Sequence, residues 1–219
     1  MAARYAPFGR TVRAYVAAKL GGDPVHRALL AIAGAGAPGL GAPGLGTVVD
    51  LGCGRGQLGV ALLLAGRART VLGIDLPGRR LDQAARVGEG IGLRVTARDL
   101  ARDPLVPPAD TVLLIDVLYQ LPTAAQRALL AAAAAAARER VLIRTLDPGG
   151  GWRAVLTIGL ERLVRRVSPH SGAVVNPPPL SELVAVLEAA GFAVVVAPCR
   201  QGTPFANVLL SARRCARPA

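Results

Sequence analysis

Lysine is almost absent from this chain: Lys19 is the single lysine among 26 basic residues, the remainder being arginine. Aromatics are scarce as well, at 3% of 219 residues, which leaves few pairs of rings for stacking nucleic-acid bases and a core built from Ala, Val and Leu. A formal net charge of +12 invites a polyanionic partner. The arginines are scattered, however, with no dense basic tail, and beside so much Ala, Gly and Pro their excess looks like a composition bias of the coding sequence. A nucleic-acid partner is not expected. The three cysteines, Cys53, Cys199 and Cys215, are odd in number and far apart, so neither a disulfide framework nor a zinc spacing is visible, and no metal site is expected. Long apolar runs are missing too. The N-terminus has no continuous apolar stretch of the signal-peptide kind, and the Ala-rich run 124–137 is interrupted by Gln126 and Arg127, which suits a water-facing helix better than a membrane span. A soluble, cytoplasmic protein is the expectation.

What is present is core material, 52% hydrophobic against 18% charged, at a length that suits one α/β domain with some decoration or at most two small ones. Residues 1–33 read as two short helices, the second opened by Asp23-Pro24, a cap followed by proline at the first helical position. A duplicated Gly/Ala/Pro/Leu stretch (36–46) cannot be regular structure and reads as a linker. The division expected is therefore a helical cap and linker at 1–46 and a main domain at 47–219. From residue 47, strand and helix alternate, as in a parallel sheet with crossover helices. Strands are expected at Thr47–Leu51, Thr70–Ile74, Leu93–Ala97, Thr111–Val117 and Arg140–Leu146, with helices at Gln57–Ala65, 79–87 and 123–138 between them. A helix at 152–167, an irregular proline-rich stretch at 168–179 and a helix at Ser181–Ala190 follow. Phe192–Ala197 and Asn207–Ala212 are too close in sequence for a parallel crossover and read as an antiparallel hairpin.

The turn Asp50-Leu51-Gly52-Cys53-Gly54-Arg55-Gly56 closes the first strand and opens a helix. Glycines there permit backbone torsions barred to other residues and let a ligand lie against the main chain, while the helix start offers free N–H donors. Cys53 reads as a small filler within it. Gly54-Arg55-Gly56-Gln57-Leu58-Gly59 also satisfies the dinucleotide fingerprint G-x-G-x-x-G, and Asp75 follows at about the 20-residue interval which that motif expects. Under either reading Asp75 would hold ribose hydroxyls. Three features weigh against the dinucleotide. Asp50 would crowd a pyrophosphate but can help hold a cationic, zwitterionic ligand; Asp99, after the third strand, is placed to accept a hydrogen bond from an adenine amino group; and the terminal hairpin is foreign to most nicotinamide-binding domains.

Taken in order, four segments carry a resemblance. Val48-Val49-Asp50-Leu51-Gly52-Cys53-Gly54-Arg55-Gly56 resembles the first motif of class I S-adenosylmethionine-dependent methyltransferases, and Leu72-Gly73-Ile74-Asp75-Leu76 the second. Ala97-Arg98-Asp99-Leu100 is similar to the third and Asp110–Tyr119 to the fourth, so that the likeness spans about residues 47–212. It implies a Rossmann-like, doubly wound α/β fold with a mostly parallel seven-stranded sheet, a C-terminal antiparallel hairpin and an N-terminal helical cap. It implies S-adenosyl-L-methionine as cofactor, with Gly52, Cys53 and Gly54 lining its methionine part. Asp75 would take the ribose hydroxyls with Leu76 on the adenine, Asp99 the adenine amino group with Leu100 on the ring, and Asp116 the sulfonium end. The plainer roles of Asp99 and Asp116 are a turn or cap carboxylate.

Methyl transfer asks the protein to align a nucleophile and exclude water. A carboxylate needs no base, whereas a hydroxyl or amine must lose a proton. Candidates for catalytic or substrate-handling roles are Asp116, Tyr119, Arg144 and His170, the last in the irregular stretch where such enzymes place substrate-covering elements. Arg144, with Trp152 and Arg153, would present a cationic face to an anionic substrate; its plainer role is an ion pair with Asp147. Tyr5, Phe8 and Tyr15 of the cap are candidates to close over the substrate. The expected activity is methylation of a small molecule at a carboxylate or hydroxyl oxygen. The alternatives are methylation of nucleic acid or protein, a non-catalytic adenosine-ligand-binding module, and a nicotinamide oxidoreductase.

Overall fold

The computed structural model describes residues 1–34, 44–166 and 175–216. Seven strands form one sheet in the order β3-β2-β1-β4-β5-β7-β6. They are β1 (Thr47–Leu51), β2 (Thr70–Asp75), β3 (Leu93–Ala97), β4 (Ala109–Ile115), β5 (Ala137–Leu146), β6 (Phe192–Pro198) and β7 (Asn207–Arg214). The β1–β2 and β2–β3 pairs are parallel, with Leu51 opposite Ile74 and Asp75 opposite Ala97, whereas β7 runs antiparallel to both β5 and β6. Order and sense are those of the mostly parallel, doubly wound sheet with a terminal hairpin that the sequence implied. By chain contacts there are two compact units, Met1–Asp99 with Ala109–Thr111, and Leu100–Pro108 with Val112–Ala219.

In the first unit, strand β1 is buried on both faces over Val48–Leu51, the property of a central parallel strand, with Asp50 as the one acid among its apolar residues. Helices α3 (Gln57–Leu64) and α4 (Arg79–Gly88) are the crossovers that follow β1 and β2. The N-terminal segment is three helical pieces rather than the two expected: a 3-10 turn over Ala2–Phe8, then α1 (Arg10–Gly22) and α2 (Pro24–Gly34). Gly9, at φ 96°, breaks the run between the first two in a conformation glycine adopts freely. Asp23 caps α2 as its position suggested, its Oδ1 accepting from the Val25 N–H at 3.2 Å.

In the second unit, α5 (Thr123–Ala136) passes into β5 at Ala137 with no intervening loop, although the alanine run alone suggested a helix to 138. The boundary is set from elsewhere in the chain. The guanidinium of Arg214, at the end of β7, donates to the carbonyls of Ala134 (2.9 Å) and Ala137 (2.7 Å), satisfying groups the helix end leaves open. Helices α6 (Trp152–Arg166) and α7 (Leu180–Ala189) separate β5 from the hairpin. Strand β4 ends at Ile115 rather than Val117, because Asp116 turns out of the extended region to φ 59°. Of the stretch expected to be irregular, 175–179 has no regular structure; the remainder, like most of the linker, lies outside the described residues.

Candidate functional site

In the first unit the glycine turn is built on three left-handed residues, Gly52 (φ 76°), Gly54 (φ 58°) and Gly56 (φ 70°). The Gly52 and Cys53 N–H groups donate to the Ile74 carbonyl at 2.7 and 3.3 Å, and Gly56 donates to the Cys53 carbonyl at 2.9 Å, so the turn is pinned to the end of β2. The glycines differ in purpose. A Cβ on Gly56 would lie 3.0 Å from the Ala84 Cβ, so that glycine permits close packing, whereas a Cβ on Gly54 would meet nothing within 4 Å. Gly54 is therefore required by its torsion and leaves an open cradle over the backbone. Cys53 fills the space beside Gly73, where a Cβ would stand 2.7 Å from its Sγ. Burial, then the charges of Asp50 and Asp75, push its thiol far up, so the filler reading holds and thiolate chemistry is disfavoured.

Two carboxylates frame this turn. Asp75 accepts from the Gly54 N–H through Oδ2 (2.6 Å) and from the Leu76 N–H through Oδ1 (2.7 Å); each oxygen retains a second lone pair for a hydroxyl donor. Asp50 is 2% exposed, and burial first, then the charge of Asp75, pushes its carboxyl up to about 7. An acid so desolvated next to another acid is a place where a ligand's positive charge would be strongly favoured. Asp99 is half-buried just past β3, and the Leu76 side chain is exposed. The N-terminal segment holds the turn from its other side: the buried Tyr5 hydroxyl donates to the Arg55 carbonyl at 2.9 Å, and the Arg55 guanidinium lies 5.2 Å from the Tyr15 ring centre and bonds Gln83 at 2.9 Å. Phe8 lies under Arg86. The sequence pointed to these aromatics only as a cover for substrate; nothing in local spacing signals Tyr5 as an anchor of the turn.

In the second unit, Leu100 is buried, and Asp116 follows β4 as the one non-glycine residue with positive φ among those described. Its N–H donates to the Arg144 carbonyl at 3.1 Å and its carboxylate pairs with the Arg144 Nε at 3.3 Å. Gln120 donates to the Asp116 carbonyl. Arg144 is 6% exposed. This pair replaces the Arg144–Asp147 pair suggested by sequence nearness; Asp147 instead accepts from the Gly149 N–H at 2.9 Å. Tyr119 is buried against Leu146, Val175 and Ile158. Trp152 and Arg153 stack on each other at 4.6 Å at the start of α6. His170 lies outside the described residues.

Residues 48–140 match the family described as the methyltransferase domain, and the matched segment contains the glycine turn, Asp75, Asp99 and Asp116. The likeness is to a methyltransferase domain, over less than half of the chain. No curated protein matches the chain by sequence. Among solved structures, it resembles magnesium protoporphyrin IX methyltransferase from Synechocystis PCC 6803 with bound SAH (TM-score 0.62, 20% identity, 88% of this chain and 84% of that one). It also resembles an O-methyltransferase family protein from Burkholderia thailandensis (0.64, 21%, 94% and 60%) and the N-methyltransferase NodS from Bradyrhizobium japonicum WM9 (0.63, 15%, 90% and 91%). At these identities the likeness establishes the fold of the chain. No helix among the described residues is long and apolar enough to cross a membrane.

Proposed function

We propose that this protein is a methyltransferase that uses S-adenosyl-L-methionine to methylate a small molecule at a carboxylate or hydroxyl oxygen, in the cytoplasm. The observation that carries the cofactor assignment is the pairing of an open glycine cradle at Gly54 with two carboxylates, Asp50 and Asp75, on the same turn. The donor set fits the group. Gly52, Cys53 and Gly54 would lie along its methionine part, and Asp50 would supply the counter-charge for its cationic end. Asp75 would take the ribose hydroxyls, with Leu76 on the adenine. Asp99 would accept from the adenine amino group and Leu100 would pack on its ring. When bound, this cofactor supplies a methyl group on a sulfonium, already activated for in-line displacement.

The chain's own work is then orientation and charge. Asp116 is held by the Arg144 guanidinium and its main-chain carbonyl, so its carboxylate keeps one direction. In that state Asp116 would serve the sulfonium end and orient a hydroxyl nucleophile, while Arg144 holds its direction. Tyr119 would shape the substrate pocket, and His170 remains a proposed base or substrate contact. Residues 1–46 would form the cap and 47–219 the cofactor-binding domain. A small, anionic oxygen nucleophile accords with the O-methyltransferase family protein among the similar structures, and a small acceptor with the methyltransferase named for magnesium protoporphyrin IX.

The test is transfer of radiolabelled methyl from the cofactor to panels of hydroxy-aromatic and carboxylic acids, amines, RNA and protein. Label on an oxygen of a small acceptor is expected; label only on amines, RNA or protein would replace the substrate assignment.

A further inference from the structure

We propose that the outer face of helix α6 docks the protein onto the surface of an anionic lipid bilayer. The helix is anchored by one narrow side. Ala154 and Thr157 are buried, and the Thr157 hydroxyl donates to the Arg153 carbonyl (2.7 Å) while accepting from the Ala206 N–H (2.9 Å). Ile158 packs on Tyr119, Leu146 and Val175. On the opposite side Trp152, Val155, Leu156, Leu160 and Leu163 are 64, 76, 44, 43 and 58% exposed. These are five of the eleven exposed large hydrophobics among the described residues, gathered on one helix.

Their spacing, i, i+3, i+4, i+8 and i+11, makes them one stripe; at about 100° per residue they span about 140° of the helix, with Gly159 inside the arc. A surface helix of an ordinary globular protein turns such a stripe inward, and a contiguous exposed one marks an interaction site. The charges say what kind. Arg153 and Arg162 flank the stripe on its two sides, and the sequence adds Arg165 and Arg166 at the C-terminal end. Glu161, the only acid of the helix, falls on the anchored side and is half-buried.

An apolar stripe bordered by arginines is complementary to a layer whose acyl chains lie beneath anionic headgroups, because the long side chains can reach up to the phosphates while the stripe sinks. Trp152, stacked on Arg153, has the amphipathic ring that prefers that boundary. A second copy of the chain meeting this face symmetrically would bring the same arginines against one another. A nucleic acid would satisfy the arginines but gain nothing from Val155 or Leu160.

Trp152 is the only tryptophan of the chain, so its fluorescence reports this helix alone. The full-length protein is mixed with vesicles of phosphatidylcholine, with or without phosphatidylglycerol, and followed by emission and co-sedimentation. The expected result is a blue shift, quenching by brominated acyl chains, and partition about tenfold stronger onto the anionic vesicles. Leu156→Glu with Leu160→Glu should lower that partition about tenfold or more, while circular dichroism and Tm stay those of the parent, because both side chains point away from the anchored side. Arg162→Glu should weaken partition to a smaller extent. No partition of the parent, or partition unchanged in the leucine double variant, overturns the proposal. Sedimentation velocity showing a dimer that the double variant dissociates would assign the face to self-association and overturn it equally.

Discussion

The two units handle their acids in opposite ways. In the first, Asp50 is desolvated beside Asp75 and its carboxyl is pushed up to about 7. In the second, Asp116 is matched by Arg144 at 3.3 Å. The first arrangement is electrostatically incomplete as it stands, and a cationic ligand completes it; the second is complete and fixes the direction of a carboxylate. Binding and orientation thus use the same side chain in two electrostatic states, and substitutions should separate them.

The largest effect is expected at the completed pair. Asp116→Ala removes the carboxylate paired with the buried Arg144 guanidinium, and should destabilise by about 3 kcal/mol in urea unfolding; adding Arg144→Met should recover much of that loss while leaving activity abolished. If the single and double variants are equally unstable, the pair is not what holds this region.

Asp50 should behave in the reverse sense. Its folded-state value lies above its ordinary one, so the unfolded chain ionises first as pH rises. Asp50 therefore lowers stability progressively from about pH 4 to about pH 7, by roughly 2–4 kcal/mol, and adds no slope above that. Asp50→Asn should make the free protein more stable at pH 8, flatten its stability between pH 4 and 7, and weaken cofactor binding. Equal pH profiles for parent and variant would remove the contrast.

Gly54→Ala sharpens the comparison within the first unit. The new Cβ meets no protein atom within 4 Å, so unfolding should register only the torsional strain of about 1–2 kcal/mol. Cofactor affinity should fall more steeply, because the methyl occupies the open cradle. The smallest effect is expected at Tyr5→Phe, which removes the hydroxyl bonded to the Arg55 carbonyl: about 1 kcal/mol in stability, and a raised KM for the cofactor with kcat kept.

Much of this was legible in the chain because it rests on local signals. β1 and β3 begin and end where the sequence pattern placed them, and the short interval before Asn207 foretold the antiparallel hairpin. The turn, Asp50 and Asp75 were legible because glycine torsions and a strand-end acid leave fixed spacings. What escaped was set by distant partners. Arg214 decides where the alanine run stops being helix, and no pattern within 124–137 records that. Arg144 found Asp116, 28 positions back, rather than Asp147 three ahead, because strand order and a φ of 59° bring them together. Tyr5 reached Arg55 across 50 residues.

The central claim, that the Gly52–Gly56 turn with Asp50 and Asp75 binds the adenosyl cofactor, is tested most directly by titration calorimetry with S-adenosylhomocysteine on the parent and on Asp75→Ala, with NAD as control. Saturable one-site binding by the parent, at least tenfold weaker in the variant and absent for NAD, is the expected result. No binding of S-adenosylhomocysteine, or tighter binding of NAD, would contradict it.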